Sequence, residues 1–530
     1  MPATSVPNHK QLLYEPIILE HALKESCRSH RILFSEPTAK PKNNLETQRQ
    51  AFQSFVDKLS QVCDNRRGGD TVTSFAILKG RDGPKFVFGS NARNHNDLIE
   101  AQEFVQNLVE FVGENPEKLK EKPLTKRVLW RILLFNLPRV QAYLEQLSKS
   151  LKDCIKDSYR RQRSQTSSSE LKRLDEVTGE LRLLKEKAEF PQDIASSSLQ
   201  DKFLSDCEKL IKAILAIKNT SMDKAIRDNA KDGDLTSSEA WCELRHYLGR
   251  LLSFRQAAEV IVGASDRFKS MFKDFKVIAV PSSDRILKPI PKSSLVTAAS
   301  IIRNMASDDE DMQALLANAA DMQKLGLDEF IRIQLCKRTF RPYVHAEILV
   351  HDYLLRHAEE ECWDYWNGWE YIGGSKPTCR LCHYYFTSHP NKVPVRDTHF
   401  NLYPNWRLPG MFENNDTTVS DARSLELLRK IIDSVRDDAK DTLEKKSPRG
   451  KKHDSDTHST VPVYYKYIND DSISLGDAPS RVPRILLRSQ SRNGTYPTVD
   501  DDDGFSMVGE IDPEETDDEN GGVTVLSGYL

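Results

Sequence analysis

A His-Ala-Glu triplet and a Cys-x-x-Cys pair constrain the fold of this chain more than any other feature of its 530 residues. His345 and Glu347 open an apolar run with helical periodicity, and Cys379 and Cys382 follow 34 and 37 residues after His345. Cysteines at i and i+3 share one face of a helical turn, so both sulfur atoms can face the same point. If both motifs serve one site, two helix N-termini must converge there.

The four side chains have the composition of a catalytic zinc site. Three protein ligands leave the fourth tetrahedral position of Zn²⁺ to water, and the ion lowers the pKa of that water to about 7. Zinc deaminases use one His and two Cys, with a Glu that moves protons without binding the metal, in the pattern H-x-E followed by P-C-x-x-C. We therefore predict His345, Cys379 and Cys382 as Zn²⁺ ligands and Glu347 as the general acid/base.

The chain also contains a second H-x-E triplet, His357-Ala358-Glu359, twelve residues after the first. The sequence after His345 is apolar on most sides, as in a buried helix, whereas His357 is followed by an acidic and then turn-prone stretch. We therefore choose the first triplet.

A lone Cys-x-x-Cys is also compatible with a redox pair or with half of a four-Cys zinc knuckle. The chain has no second Cys-x-x-Cys, and a redox pair would leave His345 and Glu347 without a role. These alternatives stay open at the level of sequence, but they explain fewer of the residues.

The regions before these motifs have distinct periodicities. A helix is predicted from about residue 45 to 63, and two β-rich runs at Thr71–Leu78 and Pro84–Gly89 predict a hairpin. Helical patterns dominate from about residue 97 to 275, and Phe275–Val280 is a candidate for a further strand. Two more helical patterns precede residue 335, and a last amphipathic helix is predicted at 419–440.

Composition indicates ordered domains with disordered ends. Hydrophobic residues make up 38% of the chain and charged residues 29%. We interpret residues 1–43 as a loosely attached arm and residues 444–530 as a disordered tail. Residues 500–530 carry eleven Asp and Glu and no Lys or Arg, which leaves a net charge of +8 on residues 1–499. This excess permits contact with a phosphate-bearing substrate without indicating one.

The same composition bears on the cellular environment. Nine cysteines in 530 residues are too sparse for a disulfide framework, and the first residues lack the order of a secretory signal. No run approaches eighteen apolar residues, so we expect no membrane helix. We expect an intracellular protein, cytoplasmic or nuclear.

Three linked motifs resemble the fungal branch of the nucleic-acid and nucleotide deaminase superfamily. They are His345-Ala346-Glu347, Ser375-Lys376-Pro377-Thr378-Cys379-Arg380-Leu381-Cys382 and the segment HFNLYPNWRLP at residues 399–409. The last motif is similar to that branch's T-H-G-x-x-Y-P-x-W-x-x-P. The resemblance covers about residues 340–410. Thr378 separates the usual Pro-Cys pair, and Asn401 replaces a common Gly.

The resemblance implies a fold and a division of the chain. The fold class is α/β (α+β), a cytidine-deaminase-like three-layer domain in which helices flank a mixed five-stranded sheet and zinc lies between two helix N-termini. We assign residues 44–96 to the first part of this domain, 97–335 to a large all-α insertion and 336–443 to the core with the zinc site.

The resemblance also suggests substrate-binding residues. Phe88-Gly89-Ser90-Asn91 is similar to the G-x-N that ends the second strand of free-nucleoside deaminases, where Asn binds the ribose, although Arg93 stands where that pattern has Glu. An ordinary turn Asn is the alternative for Asn91. Tyr403 and Trp406 are candidates for a pocket wall, whereas most of the nearby aromatic residues are expected to pack in the core.

The sequence thus predicts hydrolytic deamination of a cytosine or adenine base in a nucleotide or single-stranded nucleic acid. A different class also fits: a catalytically inactive deaminase-like zinc module with a structural or protein-interaction role. A protein partner could then bind the helical insertion or the acidic tail. A third reading, a helical scaffold with an incidental Cys-x-x-Cys, predicts no bound metal.

Overall fold

A computed structural model of the chain describes residues 9–29, 47–192, 194, 196–230, 235–290, 296–306, 309–411 and 422–449. Fifteen α-helices and five β-strands occur in these residues. The helices are α1 (His9–Ser29), α2 (Gln48–Cys63), α3 (His95–Glu114), α4 (Glu121–Phe135), α5 (Leu137–Ser164), α6 (Ser168–Ala188), α7 (Ser197–Ile217), α8 (Ser221–Asn229), α9 (Leu235–Arg267), α10 (Ala298–Met305), α11 (Asp309–Met322), α12 (Leu327–Cys336), α13 (Ala346–Glu361), α14 (Arg380–Ser388) and α15 (Ala422–Lys445). The strands are β1 (Thr73–Gly80), β2 (Gly83–Ser90), β3 (Lys276–Val280), β4 (Asp364–Tyr365) and β5 (Gly373–Gly374).

The five strands form one mixed sheet in the order β3-β2-β1-β4, with β5 also paired to β1. β1 and β2 form the predicted antiparallel hairpin, with Thr73 opposite Ser90 and Gly80 opposite Gly83. β3 runs parallel to β2, which confirms the candidate strand at Phe275–Val280. β4 and β5 both run antiparallel to β1.

The sheet divides the molecule into two hydrophobic cores, because successive side chains of a strand point to opposite faces. One face contributes Phe75, Ile77, Phe86 and Phe88 to a core shared with α2 and α3–α9, which we call the bundle-side core. The other contributes Ala76, Leu78 and Val87 to a core shared with α1 and α10–α15, which we call the site-side core. Helices therefore cover both faces of a central sheet.

The helix predicted before the hairpin is confirmed as α2. It begins with a capping box, in which Thr47 Oγ1 accepts a hydrogen bond from Gln50 N (3.2 Å) and Gln50 Oε1 accepts one from Thr47 N (2.9 Å). Its predicted apolar face, including Phe52, Phe55 and Leu59, is fully buried in the bundle-side core.

The N-terminal segment is not the loosely attached arm that we expected. Residues 9–29 form α1, whose Leu13, Ile17 and Ile18 are fully buried and which packs against α12 and α15. Sequence reasoning missed this because the surfaces that cover α1 come from residues about 300 to 430 positions later. Residues 1–8 and 30–46 lie outside the described residues.

Residues 97–335 are likewise not one all-α insertion. Helices α3–α9 lie in the bundle-side core, but β3 then joins the central sheet and α10–α12 pack in the site-side core. Helical periodicity alone could not show this division, because it reports the apolar face of a helix and not the layer that the face contacts.

The last predicted helix is present as α15, which extends to Lys445. Residues 450–530, with most of the predicted disordered tail, lie outside the described residues. In the described part of the chain, no helix combines the length and the apolar character needed to cross a membrane.

A buried ion pair connects α5 to the loop that follows α2. Arg139 Nη1 lies 2.9 Å from Asp64 Oδ2, and the two side chains are 3% and 1% exposed. Thr71 Oγ1 also donates a hydrogen bond of 2.7 Å to Asp64 Oδ1. The pair holds this loop against the helical bundle.

The variant Asp64→Ala tests the importance of this pair. We expect the free energy of unfolding to fall by about 3–5 kcal/mol, because the buried guanidinium loses its carboxylate partner. Urea denaturation followed by circular dichroism measures the change. Glu189→Ala, which removes the exposed pair with Lys185 (2.6 Å), is the control and should have little effect. Equal losses in the two variants would contradict the expectation.

Candidate metal centre

The end of β2 fixes the start of α13. Asn91, directly after β2, accepts a hydrogen bond from Ala346 N at Oδ1 (2.8 Å) and donates one from Nδ2 to Gly69 O (2.8 Å). Gly89 allows close packing here, since a Cβ atom at this position would lie 3.1 Å from the Leu349 side chain. His345 therefore occupies a defined position at the N-terminus of a helix packed on the sheet.

Cys379 serves as the N-cap of α14. Its Sγ accepts a hydrogen bond from Cys382 N (3.4 Å), a role more often filled by Ser, Thr, Asp or Asn. The partial positive charge at a helix N-terminus favours a thiolate there. The Cys-x-x-Cys spacing thus places one sulfur at the cap and the other within the first helical turn.

One segment, residues 397–407, joins the region of the two cysteines to the region of His345, and we call these the two ligand-bearing regions. Near the cysteines, Thr378 N donates to Asp397 O (3.0 Å). Near the histidine, Arg407 N donates to Tyr343 O (3.0 Å). The third sequence motif therefore lies alongside the backbone of both other motifs and holds them together.

The predicted ligands converge. His345 Nδ1 lies 3.5 Å from Cys379 Sγ and 3.4 Å from Cys382 Sγ. A nitrogen about 2.0–2.1 Å and a sulfur about 2.3 Å from one tetrahedral Zn²⁺ are about 3.5 Å apart. All three side chains are buried, and no other cluster of His, Cys, Asp or Glu in the described residues has metal-binding geometry. The donor set therefore fits Zn²⁺.

Glu347 lies beside the His-Cys-Cys cluster and does not belong to it. Its Oε2 is 3.9 Å from Cys382 Sγ, and the residue is only 6% exposed. Burial raises the pKa of Glu347 to about 7, although the charge of His345 acts in the opposite direction. A carboxyl group with such a pKa can both accept and release a proton near neutral pH.

The two thiols differ in acidity. Burial alone would raise the pKa of Cys379, but the hydrogen bond with Cys382 and the charge of His345 outweigh it and hold this pKa well below its ordinary value. Burial and the neighbouring Cys379 sulfur together raise the pKa of Cys382. The surroundings of Cys379 thus favour the thiolate form that a metal ion requires.

The second H-x-E triplet lies elsewhere on α13. His357 Nδ1 is 2.8 Å from Tyr353 O, and its ring stacks on Tyr353 with centroids 4.1 Å apart. The side chains of residues 358–360 lie outside the described part of the structure. Only the first of the two triplets belongs to the His-Cys-Cys cluster.

A cavity of about 60 Å³ adjoins the cluster. It is lined by Gly69, Val72, Asn91, Tyr343, His345, Glu347, Lys376, Pro377, Cys379, His399, Tyr403, Pro404 and Asn405. Asn91 and Tyr403, two of the predicted substrate-binding residues, are therefore in position, and their contact with a substrate stays a prediction.

Trp406 does not form part of this wall. It is fully buried in the site-side core. Sequence spacing placed it near the site but could not show on which side of the cysteines it lies. Trp366 also packs in a core, stacked on Phe52 with ring centroids 5.7 Å apart.

Sequence reasoning missed eight of the residues that line the cavity, and the four with polar side chains are Tyr343, Lys376, His399 and Asn405. His399 is 2% exposed, and its Nδ1 accepts a hydrogen bond from Asn401 N (3.0 Å). All four lie within or next to the three motifs, and this proximity was the available signal.

Comparison with protein families gives one match. Residues 344–410 match a family described as OTT_1508_deam-like deaminase, a range that includes the His-Cys-Cys cluster and Glu347. Neither curated proteins nor solved structures gave a match. The matched region, about one eighth of the chain, supports a hydrolytic deaminase domain, and the cluster within it is compatible with zinc.

Asp57 on α2 anchors the segment that leads to the cysteines. It accepts hydrogen bonds from Tyr371 Oη (3.0 Å) and Gly374 N (3.1 Å), and Arg396 Nε lies 3.7 Å away. Burial outweighs these partners and raises the pKa of Asp57 to about 6. Its carboxyl group therefore holds a proton more tightly in the folded chain than in the unfolded chain.

This raised pKa predicts a pH dependence of stability. The protonated Asp57 carboxyl group contributes on the order of 3 kcal/mol to the unfolding free energy. This contribution is fully present below the unfolded pKa of about 3.9 and is lost as the pH rises through the folded pKa. Asp57→Asn removes this titration. The difference in unfolding free energy between wild type and variant should therefore change between pH 4.5 and 7, as measured by chemical denaturation at several pH values. A constant difference would show that the folded state does not perturb this group.

Proposed function

We propose that this chain is a zinc-dependent hydrolytic deaminase acting on a cytosine or adenine base of a nucleotide or nucleic acid. The convergence of His345 Nδ1 with the sulfur atoms of Cys379 and Cys382 carries the proposal. Support also comes from the deaminase match of residues 344–410. A purely structural zinc site would have no need of the buried carboxyl group of Glu347 beside it.

The proposed chemistry assigns a role to each side chain. His345, Cys379 and Cys382 would hold Zn²⁺, which supplies a hydroxide-like nucleophile by lowering the pKa of bound water. Glu347 would accept a proton from the attacking water and deliver it to the departing amino group as ammonia forms. Its buried position beside the cluster suits both transfers.

We also propose that the domain has the cytidine-deaminase-like fold. The mixed sheet with helices on both faces supports this, as does the position of the cluster at the N-termini of α13 and α14. Helices α3–α9 would be an addition to that fold. They would shape substrate access or bind a protein partner.

The cavity constrains how a substrate enters. At about 60 Å³ it is smaller than ligand pockets of about 300–1,000 Å³. A base therefore requires movement of the wall, and we propose that half-buried Tyr403 moves to admit it. The Asn91 amide is committed to Ala346 N and Gly69 O, which leaves its second amide hydrogen as the donor available to a ribose.

The small cavity also favours a second candidate, a catalytically inactive zinc module with a structural or interaction role. Both candidates bind zinc, so metal content alone does not distinguish them. The two candidates are distinguished by measuring turnover of the zinc-loaded protein on nucleosides, nucleotides, single-stranded DNA and single-stranded RNA. Ammonia release from any substrate in this panel excludes the inactive module.

Glu347→Gln tests the catalytic role directly. We expect this variant to retain one zinc per chain and the wild-type fold while its turnover falls by about 10²–10⁴-fold, because the general acid/base is lost. Zinc is measured by elemental analysis and ammonia by a coupled assay. Full activity in the variant would remove the proposed mechanism.

The two H-x-E triplets provide a matched pair of variants for the metal. His345→Ala should lose zinc because it removes the only nitrogen ligand of the cluster, whereas His357→Ala should retain both zinc and activity. Cys379→Ser should also lose the metal. Retention of zinc in His345→Ala would show that this imidazole does not hold the ion.

A further inference from the structure

Arg380, between the two cysteines in the chain, has a completely buried guanidinium group. Its Nη1 lies 2.6 Å from Glu20 Oε1 on α1 and 3.2 Å from Asp438 Oδ2 on α15. The side chains of Glu20 and Asp438 are 0% and 4% exposed. We call these three residues the Arg380 cluster.

Two further guanidinium donors and the backbone N of Arg380 are also engaged. Nε donates to Phe400 O (2.9 Å), and Nη2 donates to Arg449 O (2.8 Å). The backbone N of Arg380 donates to Asn401 O (2.9 Å). Because a guanidinium group is planar and its donors have fixed directions, acceptors on several sides determine its orientation.

α1 makes two further contacts with the segment 397–407 that joins the ligand-bearing regions. Lys24 Nζ donates to Asn401 Oδ1 (3.0 Å), and Tyr14 Oη donates to Trp406 O (3.0 Å). Together with Glu20, these side chains contact the site region along about half of the length of α1. The helix therefore holds both the first residue of α14 and the segment beside it.

We propose that the Arg380 cluster positions the two cysteines for metal binding, so that α1 and α15 are working parts of the metal centre. Both helices lie outside residues 344–410, the region that matches the deaminase family. Arg380 is the first residue of α14, adjacent to Cys379 and two residues from Cys382. Its side chain sets the orientation of the helical turn that carries both sulfur atoms. The inference rests on the zinc site proposed above.

The experiment compares isosteric variants of the full chain. Glu20→Gln and Asp438→Asn each remove one charge from the Arg380 cluster, on different helices. The control is Asp64→Asn, which removes one charge from the buried pair with Arg139 (2.9 Å) in the other half of the molecule. Zn²⁺ affinity is measured by competition with a chromophoric chelator, and site geometry by the absorption spectrum of the Co²⁺-substituted protein.

We expect Glu20→Gln and Asp438→Asn to weaken Zn²⁺ binding by about 10–100-fold and to alter the Co²⁺ spectrum, as changes behind metal ligands commonly do. Asp64→Asn should lower the unfolding midpoint yet leave the Zn²⁺ affinity and the Co²⁺ spectrum as in wild type. If one cluster variant does not fold, the other, on a different helix, still tests the proposal.

The outcomes separate this inference from the zinc site itself. Unchanged affinity and spectra in folded cluster variants of a protein that binds zinc would overturn the positioning role alone. Equal weakening in Asp64→Asn would also overturn it, because a general loss of stability would then explain the effect. Absence of Zn²⁺ and Co²⁺ binding in wild type would overturn the proposed site and this inference together.

Discussion

This architecture depends on one buried contact, in which the His345 imidazole nitrogen lies 3.4–3.5 Å from the sulfur atoms of Cys379 and Cys382. Such atoms are costly to remove from water unless they bind one another or an ion. Their meeting requires the N-termini of α13 and α14 to face each other. The sheet holds α13 through Asn91, and the segment 397–407 connects both ligand-bearing regions.

Among the described residues, helices α3–α9 contribute no side chain to the cavity wall, but they contact the loop that forms one side of it. Gly69 and Val72 line the cavity and belong to the loop between α2 and β1. Asp64 at the start of this loop pairs with Arg139 of α5, so the loop is joined to the bundle at the end away from the cavity-lining residues.

Local patterns predicted the hairpin, α2, β3 and α15, because period-2 and period-3.6 repeats reflect contacts within one element. The clustering of His345, Cys379 and Cys382 was predictable because metal chemistry restricts both residue type and spacing. Three features were not predictable. They are the burial of α1, the packing of β3 and α10–α12 with the central sheet and the site-side core, and the position of Trp406. Each depends on contacts between segments distant in the chain, and no local repeat reports which surfaces meet.

The packing of α1 has a consequence for the order in which the molecule assembles. This helix is made before the rest of the described residues, but α15 and the backbone of Arg449, which complete its surroundings, are made about 400 residues later. Contacts that span so much of a chain form slowly and leave apolar surface exposed in the interim. A nascent chain therefore carries an uncovered apolar helix until nearly all of the described residues have left the ribosome, and the environment of Arg380 is among the last parts to close.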